Sequence, residues 1–351
     1  MEDFYHRRYD SIQLLRGIAA VFIIFEHIRF LNCGAFGVDI FFCISGFMMM
    51  LSTASGMENY WIKRLTRILP LYYLMTCFTF VCLIALPGMF EVSKADPVQF
   101  IKSLCFIPFD IGGGVIQPLM RVGWTTNYEM FFYLVFYIAG KLSAKYRGLL
   151  CSIFLVALST LVRVLSPDSL ILGFYGDGVV LEFVLGIGAF YICRQIFERK
   201  EAGKLKKAEG IIGLIIAAGI FAVLAITKHS VYRIGFCREL IWGLPAMLIV
   251  TGTFTAGLFL KAPKALAVIG NMSFSIYLIH YYPVLLLDRK VFDFSSLTVK
   301  SAVGVPVTVA ICLGLSYISW RFFETKLYRR GIRTAGKKAP EDKAAKETTK
   351  E

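Results

Sequence analysis

Apolar runs of about 20 residues follow one another along almost the whole chain. A helix of that length crosses roughly 30 Å of hydrocarbon while satisfying its own backbone hydrogen bonds. The runs predict helices at 11–30, 35–55, 68–90, 123–140, 147–166, 178–197, 210–227, 237–260, 265–287 and 297–322. This is the pattern of an all-α, polytopic membrane protein with about ten transmembrane helices. Residues 1–325 make up the expected membrane domain, and 326–351 a charged tail.

The polar clusters between the runs orient the chain. With the N-terminus in the cytoplasm, Lys63, Arg64 and Arg67 fall inside, followed by Lys141, Lys145 and Arg147, the cluster from Arg199 to Lys207, Lys261 and Lys264, and the tail from Arg329. The opposite loops carry Asp96, Asp110, Asp168 and Asp177, with Lys228, Arg233, Arg289 and Lys290 as exceptions. Both termini are therefore expected in the cytoplasm. The first run follows His6, Arg7 and Arg8, lacks a small-residue cleavage site, and reads as an uncleaved span. The long outer loop 91–121 is broken by Pro97, Pro108, Gly112 to Gly114 and Pro118, so it is expected to be irregular and to cap a site. The chain after Arg333 lacks apolar content, and the tail 326–351 is expected to be disordered. No internal repeat is visible, which weakens an inverted-repeat transporter reading.

Composition sharpens this picture. Hydrophobic residues make up 57% and charged residues 18% of the chain, with a mean hydropathy of +0.66, values foreign to a water-soluble globule. The net charge of +14 does not point to nucleic acid, because the cations sit in short clusters between apolar runs rather than on one stripe. The nine cysteines lie mostly inside apolar runs, as at Cys43, Cys77, Cys82, Cys151 and Cys312. There a thiol acts as a small hydrophobe, so no disulfide framework is expected. No Cys/His pair has ligand spacing, so no metal site is expected.

Ionisable groups inside spans are costly and therefore informative: Arg16, Glu26, His27, Asp39, Glu129, Glu182, Glu239 and His280. From Arg16 to His27 the helix returns to within about 20° of its starting azimuth and advances roughly 16 Å. The two share a face but cannot touch. Arg16 lies near the cytoplasmic end and suits a phosphate; His27 lies near the outer end and suits proton transfer. The bland alternative is that Arg16 snorkels to head groups and His27 is interfacial. Asp39, Glu129 and His280 fall at the depth of His27, and Glu129 or Asp39 is the expected carboxylate that orients its ring; separate helix-packing hydrogen bonds are the alternative. The run Tyr60 to Pro70 places Lys63, Arg64 and Arg67 at the inner mouth of the third helix, either as an interfacial anchor or as a phosphate clamp.

A series of motifs links these residues: Leu15-Arg16-Gly17 through His27; Gly37-Val38-Asp39 to Ser45-Gly46-Phe47; Lys63-Arg64 to Arg67 and Tyr72; Trp124 to Asn127-Tyr128-Glu129 and Tyr133; Glu182 to Gly186; and Ser273 to His280. Over about 11–325 the series resembles the acyltransferase 3 family, the integral-membrane O-acyltransferases that decorate bacterial surface and exported polysaccharides, and most nearly its exopolysaccharide-acetylating branch. The resemblance implies that Arg16, His27 and Glu129 are essential to acyl transfer and that Arg64, Arg67 and Lys63 bind the donor. It makes Asp39, His280, Ser45, Tyr72 and Asn127 supporting residues. It implies a cytosolic acyl-CoA, usually acetyl-CoA, as co-substrate with no permanently bound cofactor. The implied acceptor is a polysaccharide or lipid-linked sugar, and the implied setting is the cytoplasmic membrane of a bacterium.

Three positions depart from the family pattern. Glu26 precedes the histidine where an apolar residue is usual and could alter its protonation, Thr126 replaces a common leucine, and the last helix ends Phe323-Glu324-Thr325-Lys326 without the usual basic residue and proline. No hydrolase domain follows the tenth expected helix, so the membrane-only form is expected. A transporter using the buried charges for coupling is the competing class.

Overall fold

The computed structural model describes residues 2–86, 88, 90, 94–165, 167–227 and 238–334. Among them the secondary structure is helical, apart from an isolated bridge between Asp110 and Ile116. In chain order the helices are α1 (Glu2–His6), α2 (Asp10–Glu26), α3 (Gly37–Ser52), α4 (Tyr60–Ala85), α5 (Pro97–Leu104), α6 (Trp124–Leu142), α7 (Arg147–Leu165) and α8 (Leu170–Tyr175). They continue as α9 (Leu181–Glu201), α10 (Lys207–Thr227), α11 (Leu244–Gly257), α12 (Lys264–Asn271), α13 (Ser273–Ile279), α14 (Tyr281–Leu287), α15 (Val299–Ser319) and α16 (Thr325–Thr334). Each predicted span therefore falls on helix. Lys228 and Arg233 lie outside the described residues.

Six helical segments are long and apolar enough to cross a membrane: Tyr60–Ala85, Arg147–Leu165, Leu170–Glu201, Lys207–Thr227, Glu239–Gly257 and Val299–Gly331. Their outward faces are bare hydrocarbon, with Ile215, Val223 and Ile226 on α10 exposed by 64%, 58% and 77%. A surface of that kind needs lipid as its solvent, and the chain is a multi-pass membrane protein. The helices outside this group are shorter, more polar or broken. Among them α2, α3, α6 and α12 to α14 hold Arg16, Asp39, Glu129 and, between α13 and α14, His280.

Two backbone contacts lock these helices together. A Cβ on Gly46 of α3 would overlap the Phe183 carbonyl oxygen and lie 3.0 Å from the Gly186 Cα on α9. A Cβ on Gly17 of α2 would fall 2.9 Å from the Gly270 backbone nitrogen on α12. Only glycine permits such an approach. The second crossing brings α13 alongside α2.

Three expectations need correction. The span predicted at 265–287 divides into α12, α13 and α14, and Pro283 accounts for the second break, because it has no N–H to offer the Ile279 carbonyl. The loop expected to be irregular contains α5, which starts where Asp96 accepts from the Val98 N–H at 2.8 Å and Pro97 takes the first helical position. The start of the expected unstructured tail is helical: α16 runs to Thr334 and packs on α4, with Gly331 against Thr66. The tail beyond Thr334 lies outside the described residues.

Replacing Gly46 by Ala should destabilise the bundle by about 1–3 kcal/mol through overpacking. Gly219→Ala, where a Cβ meets nothing within 4 Å, should be neutral or stabilising by up to about 1 kcal/mol. Thermal unfolding midpoints in detergent measure both, and equal effects would refute the backbone lock.

Candidate functional site: two cavities and a histidine pair

The shared face of Arg16 and His27 on α2 opens onto two different cavities. Arg16 lines a narrow one of about 70 Å³, together with Ser45 of α3, Arg64 and Arg67 of α4, Glu129 and Tyr133 of α6, and Ser273 and Tyr277 of α13. His27 lines a cleft of about 1200 Å³. Among the described residues, none lines both.

Among the described residues the lining of the narrow cavity holds three arginines and one carboxylate, Glu129, with the Glu324 carboxyl, which accepts from Ser275 Oγ, close enough behind it to interact with Arg16 and Arg67. Glu129 accepts from Tyr133 Oη and, at 3.4 Å, from Ser45 Oγ. Arg64 donates to Ser52 Oγ, and its guanidinium carbon lies 5.7 Å and 5.6 Å from the ring centroids of Tyr60 and Tyr133. Arg16 Nη1 donates to Gln13 Oε1 at 3.4 Å. The cationic excess suits a ligand with several negative charges, and guanidinium forks suit phosphate.

Between the two cavities stand Tyr277, which lines the narrow cavity with Phe41 and Thr125, and His280, which joins Tyr277 to His27 of the cleft. Tyr277 Oη donates to the Val122 carbonyl at 3.0 Å and accepts from Thr125 Oγ1 at 2.9 Å. Its ring centroid is 6.2 Å from that of Phe41 and 6.0 Å from that of His280. His280 is fully buried.

The two histidines form a directed pair. His280 Nδ1 lies 3.0 Å from the Ile276 carbonyl, which can only accept, so Nδ1 carries the proton and Nε2 the lone pair. That Nε2 lies 3.2 Å from His27 Nδ1, which is also 3.0 Å from the Ile23 carbonyl. Both neighbours of His27 Nδ1 are acceptors. The neutral ring therefore carries its proton on Nδ1 and is left with a basic Nε2.

His280 thus takes the place that a carboxylate was expected to hold beside His27. Asp39, fully buried, instead accepts from Arg238 Nη2 at 2.7 Å, and Arg238 Nε donates to the buried Glu182 at 3.2 Å. Glu129 belongs to the narrow cavity. Glu26 turns its carboxylate to the N–H groups of Gly34 and Ala35, at 2.8 Å and 2.9 Å, and so fixes the loop after α2. Of the remaining sequence candidates, Ser45 lines the narrow cavity and Lys63 does not. Tyr72 is buried away from it, donating to the Ser103 carbonyl at 3.0 Å and stacking on Phe106. Asn127 is buried in α6 and lines neither cavity.

The sequence motifs include Tyr133 without giving it a role, and Arg121, Arg163 and Arg238 were passed over. Tyr133 was legible as the partner of Glu129 one helical turn away. Arg163 pairs with Glu239 through two contacts of 2.8 Å, and this pair came from distant segments without any spacing signal.

The pattern of the acyltransferase domain matches residues 9–321. The chain belongs to the acyltransferase 3 family. Exopolysaccharide production protein ExoZ of Rhizobium meliloti is 30% identical to this family member over 85% of its chain and 90% of ExoZ. The O-acetyltransferase OatA of Staphylococcus aureus is 24% identical over 95% of this chain and 59% of OatA. The peptidoglycan O-acetyltransferase OatA of Listeria monocytogenes is 25% identical over 93% and 57% respectively. This acyltransferase thus spans less than two thirds of the OatA proteins and nearly all of ExoZ. No solved structure is found to match it.

Arg238→Met would leave Asp39 and Glu182 buried without their shared cation. Breaking a buried pair of this kind costs about 3–5 kcal/mol, so the variant should lose most of its folded yield in detergent. A yield and melting midpoint equal to wild type would refute the structural role.

Proposed function

We propose that this acyltransferase moves an acetyl group from cytosolic acetyl-CoA to a hydroxyl of a surface or exported polysaccharide, or of its lipid-linked precursor. The setting is the bacterial cytoplasmic membrane, with ten spans and both termini inside. The positive-inside bias supports this orientation, which turns the Arg16 cavity to the cytoplasm and the His27 cleft outward. The relatives' names, an exopolysaccharide production protein and two O-acetyltransferases, support the reaction class. The single observation that carries the reading is the His27–His280 pair, standing at the wall between a cationic cavity and an open cleft.

Arg64, Arg67 and Arg16 hold the phosphates of the donor, and its arm runs toward His27 past Phe41, Thr125 and Tyr277, which stand on the way to His27 and must move aside as the donor binds. His27 Nε2 accepts the proton of the acceptor hydroxyl as that oxygen bonds to the thioester carbonyl carbon. The resulting imidazolium carries a proton on each ring nitrogen, and the Nδ1 proton stays between the Ile23 carbonyl and His280 Nε2. When the carbon–sulfur bond breaks, the Nε2 proton passes to the departing thiolate. Acetyl ester and free CoA result, and His27 returns to its starting form. His280 acts as a positioning residue that selects the reactive tautomer.

Label from acetyl-CoA should enter extracted surface polysaccharide in membranes bearing the wild type and not in those bearing His27→Ala. His280→Ala should lower kcat by about 10²–10⁴-fold with little change in the KM for acetyl-CoA, whereas Arg67→Gln should raise that KM. Transfer by His27→Ala at wild-type rates would overturn the assignment.

A further inference from the structure

The His27 cleft carries more positive charge than its own acids balance. Among the described residues it is lined by Arg29, Arg121, Arg289 and Lys290, against Glu26 and Asp288. Both acids face the protein itself. Glu26 receives the Gly34 and Ala35 N–H groups, and Asp288 receives Arg29 Nε and Nη2 at 2.8 Å and 2.9 Å. Arg29 is tied further to Asp293 at 2.9 Å. Asp293 is held below the usual carboxylate range by hydrogen bonds from Ser295 and by Arg29, so it stays ionised in mild acid. Arg289 donates to the Gly88 carbonyl at 3.3 Å.

Arg121 is placed differently. It is exposed on the cleft, with its guanidinium carbon 5.8 Å from the ring centroid of Tyr281. Tyr281 in turn stands 5.7 Å from the ring of His27 at an interplanar angle of 83°. Arg121, Tyr281 and His27 thus form a row along one side of the cleft. The position is rigid: Arg121 opens the tight turn Arg121–Gly123, and the Val122 carbonyl of that turn accepts the Tyr277 hydroxyl from α13, the helix that leads to His280. A cation held on the scaffold of the reacting histidine, on a cleft large enough for several sugar units, is suited to an anion at a fixed distance from the reacting hydroxyl.

We propose that the acceptor is an anionic glycan, whose carboxylate or phosphate group is engaged by Arg121 while His27 takes the proton of a neighbouring hydroxyl. The proposal rests on the assignment of this cleft to the acceptor. The shared chemistry is an oxyanion near the acetylated hydroxyl, supplied either by a uronate within the glycan or by the diphosphate of a lipid carrier.

The test uses membranes containing the full chain as wild type, Arg121→Gln or Arg121→Lys, with labelled acetyl-CoA and three acceptors. These are a uronate-containing oligosaccharide, the same oligosaccharide with its carboxylates reduced to alcohols, and the reduced form on a polyprenyl diphosphate. Wild type should favour a charged acceptor over the reduced one by about tenfold or more in kcat/KM, through KM, and added salt should narrow the gap. Preference for the first acceptor identifies the uronate as the anion; preference for the third identifies the diphosphate. Arg121→Gln should collapse the preference, and Arg121→Lys should keep part of it. Equal use of charged and reduced acceptors by the wild type overturns this inference and leaves the proposed function standing. Arg121→Gln losing transfer to all acceptors alike overturns the role given to Arg121. Label entering no acceptor overturns the proposed function, and this inference with it.

Discussion

A charge enclosed in a bundle whose outside faces hydrocarbon has to be met by the protein, and this constraint sorts the polar residues of the chain. Arg238 is shared by Asp39 and Glu182, and Arg163 is matched by Glu239 through two contacts. These groups fasten α3, α9 and the segment leading into α11, and they belong to the scaffold. Around Glu129 the balance differs, since three arginines line a cavity with one carboxylate and a second, Glu324, lies near Arg16 and Arg67. The histidines solve the problem in a third way, as neutral rings that satisfy each other and two carbonyls. Charge is paired off in the scaffold, and its excess gathers at the candidate site.

The same sorting explains which helices look like membrane spans. α7, α10 and α15 present hydrocarbon outward and read plainly as spans. α2, α6 and α12 to α14 are shielded from lipid on more sides and so tolerate the polar residues and breaks that chemistry needs. Their relative positions are fixed by contacts such as Gly17 on Gly270, where a side chain would separate the histidines.

Much of this was legible in the sequence. The spans follow from apolar run length, and the common face of Arg16 and His27 follows from helical spacing. The cationic cavity was visible as an arginine cluster at a helix mouth. The partner of His27 was not, because the depth of a residue in the membrane says nothing about its azimuth. Asp39 and His280 were expected at one level, but only the packing of α13 against α2 turns His280 toward His27 and leaves Asp39 to Arg238. The helix α5 was hidden by counting prolines and glycines in its loop, although Asp96-Pro97 is itself a start signal. Residues 326–334 read as a charged tail because no apolar run marks them, yet α16 is held by its packing on α4.

The wall of Phe41, Tyr277, Thr125 and His280 has an electrical consequence. A bilayer under 100 mV gives each crossing charge about 2.3 kcal/mol, and with the two cavities on opposite sides of the membrane, as proposed, only a few side chains would stand between them. Here the gap is closed by aromatic rings, by hydroxyl groups bound to one another and by a buried neutral imidazole. A donor arm that reaches His27 from Arg16, as proposed, has to part these same groups, so the barrier would rest on side chains that also move, and smaller residues at Phe41 or Tyr277 should let ions leak.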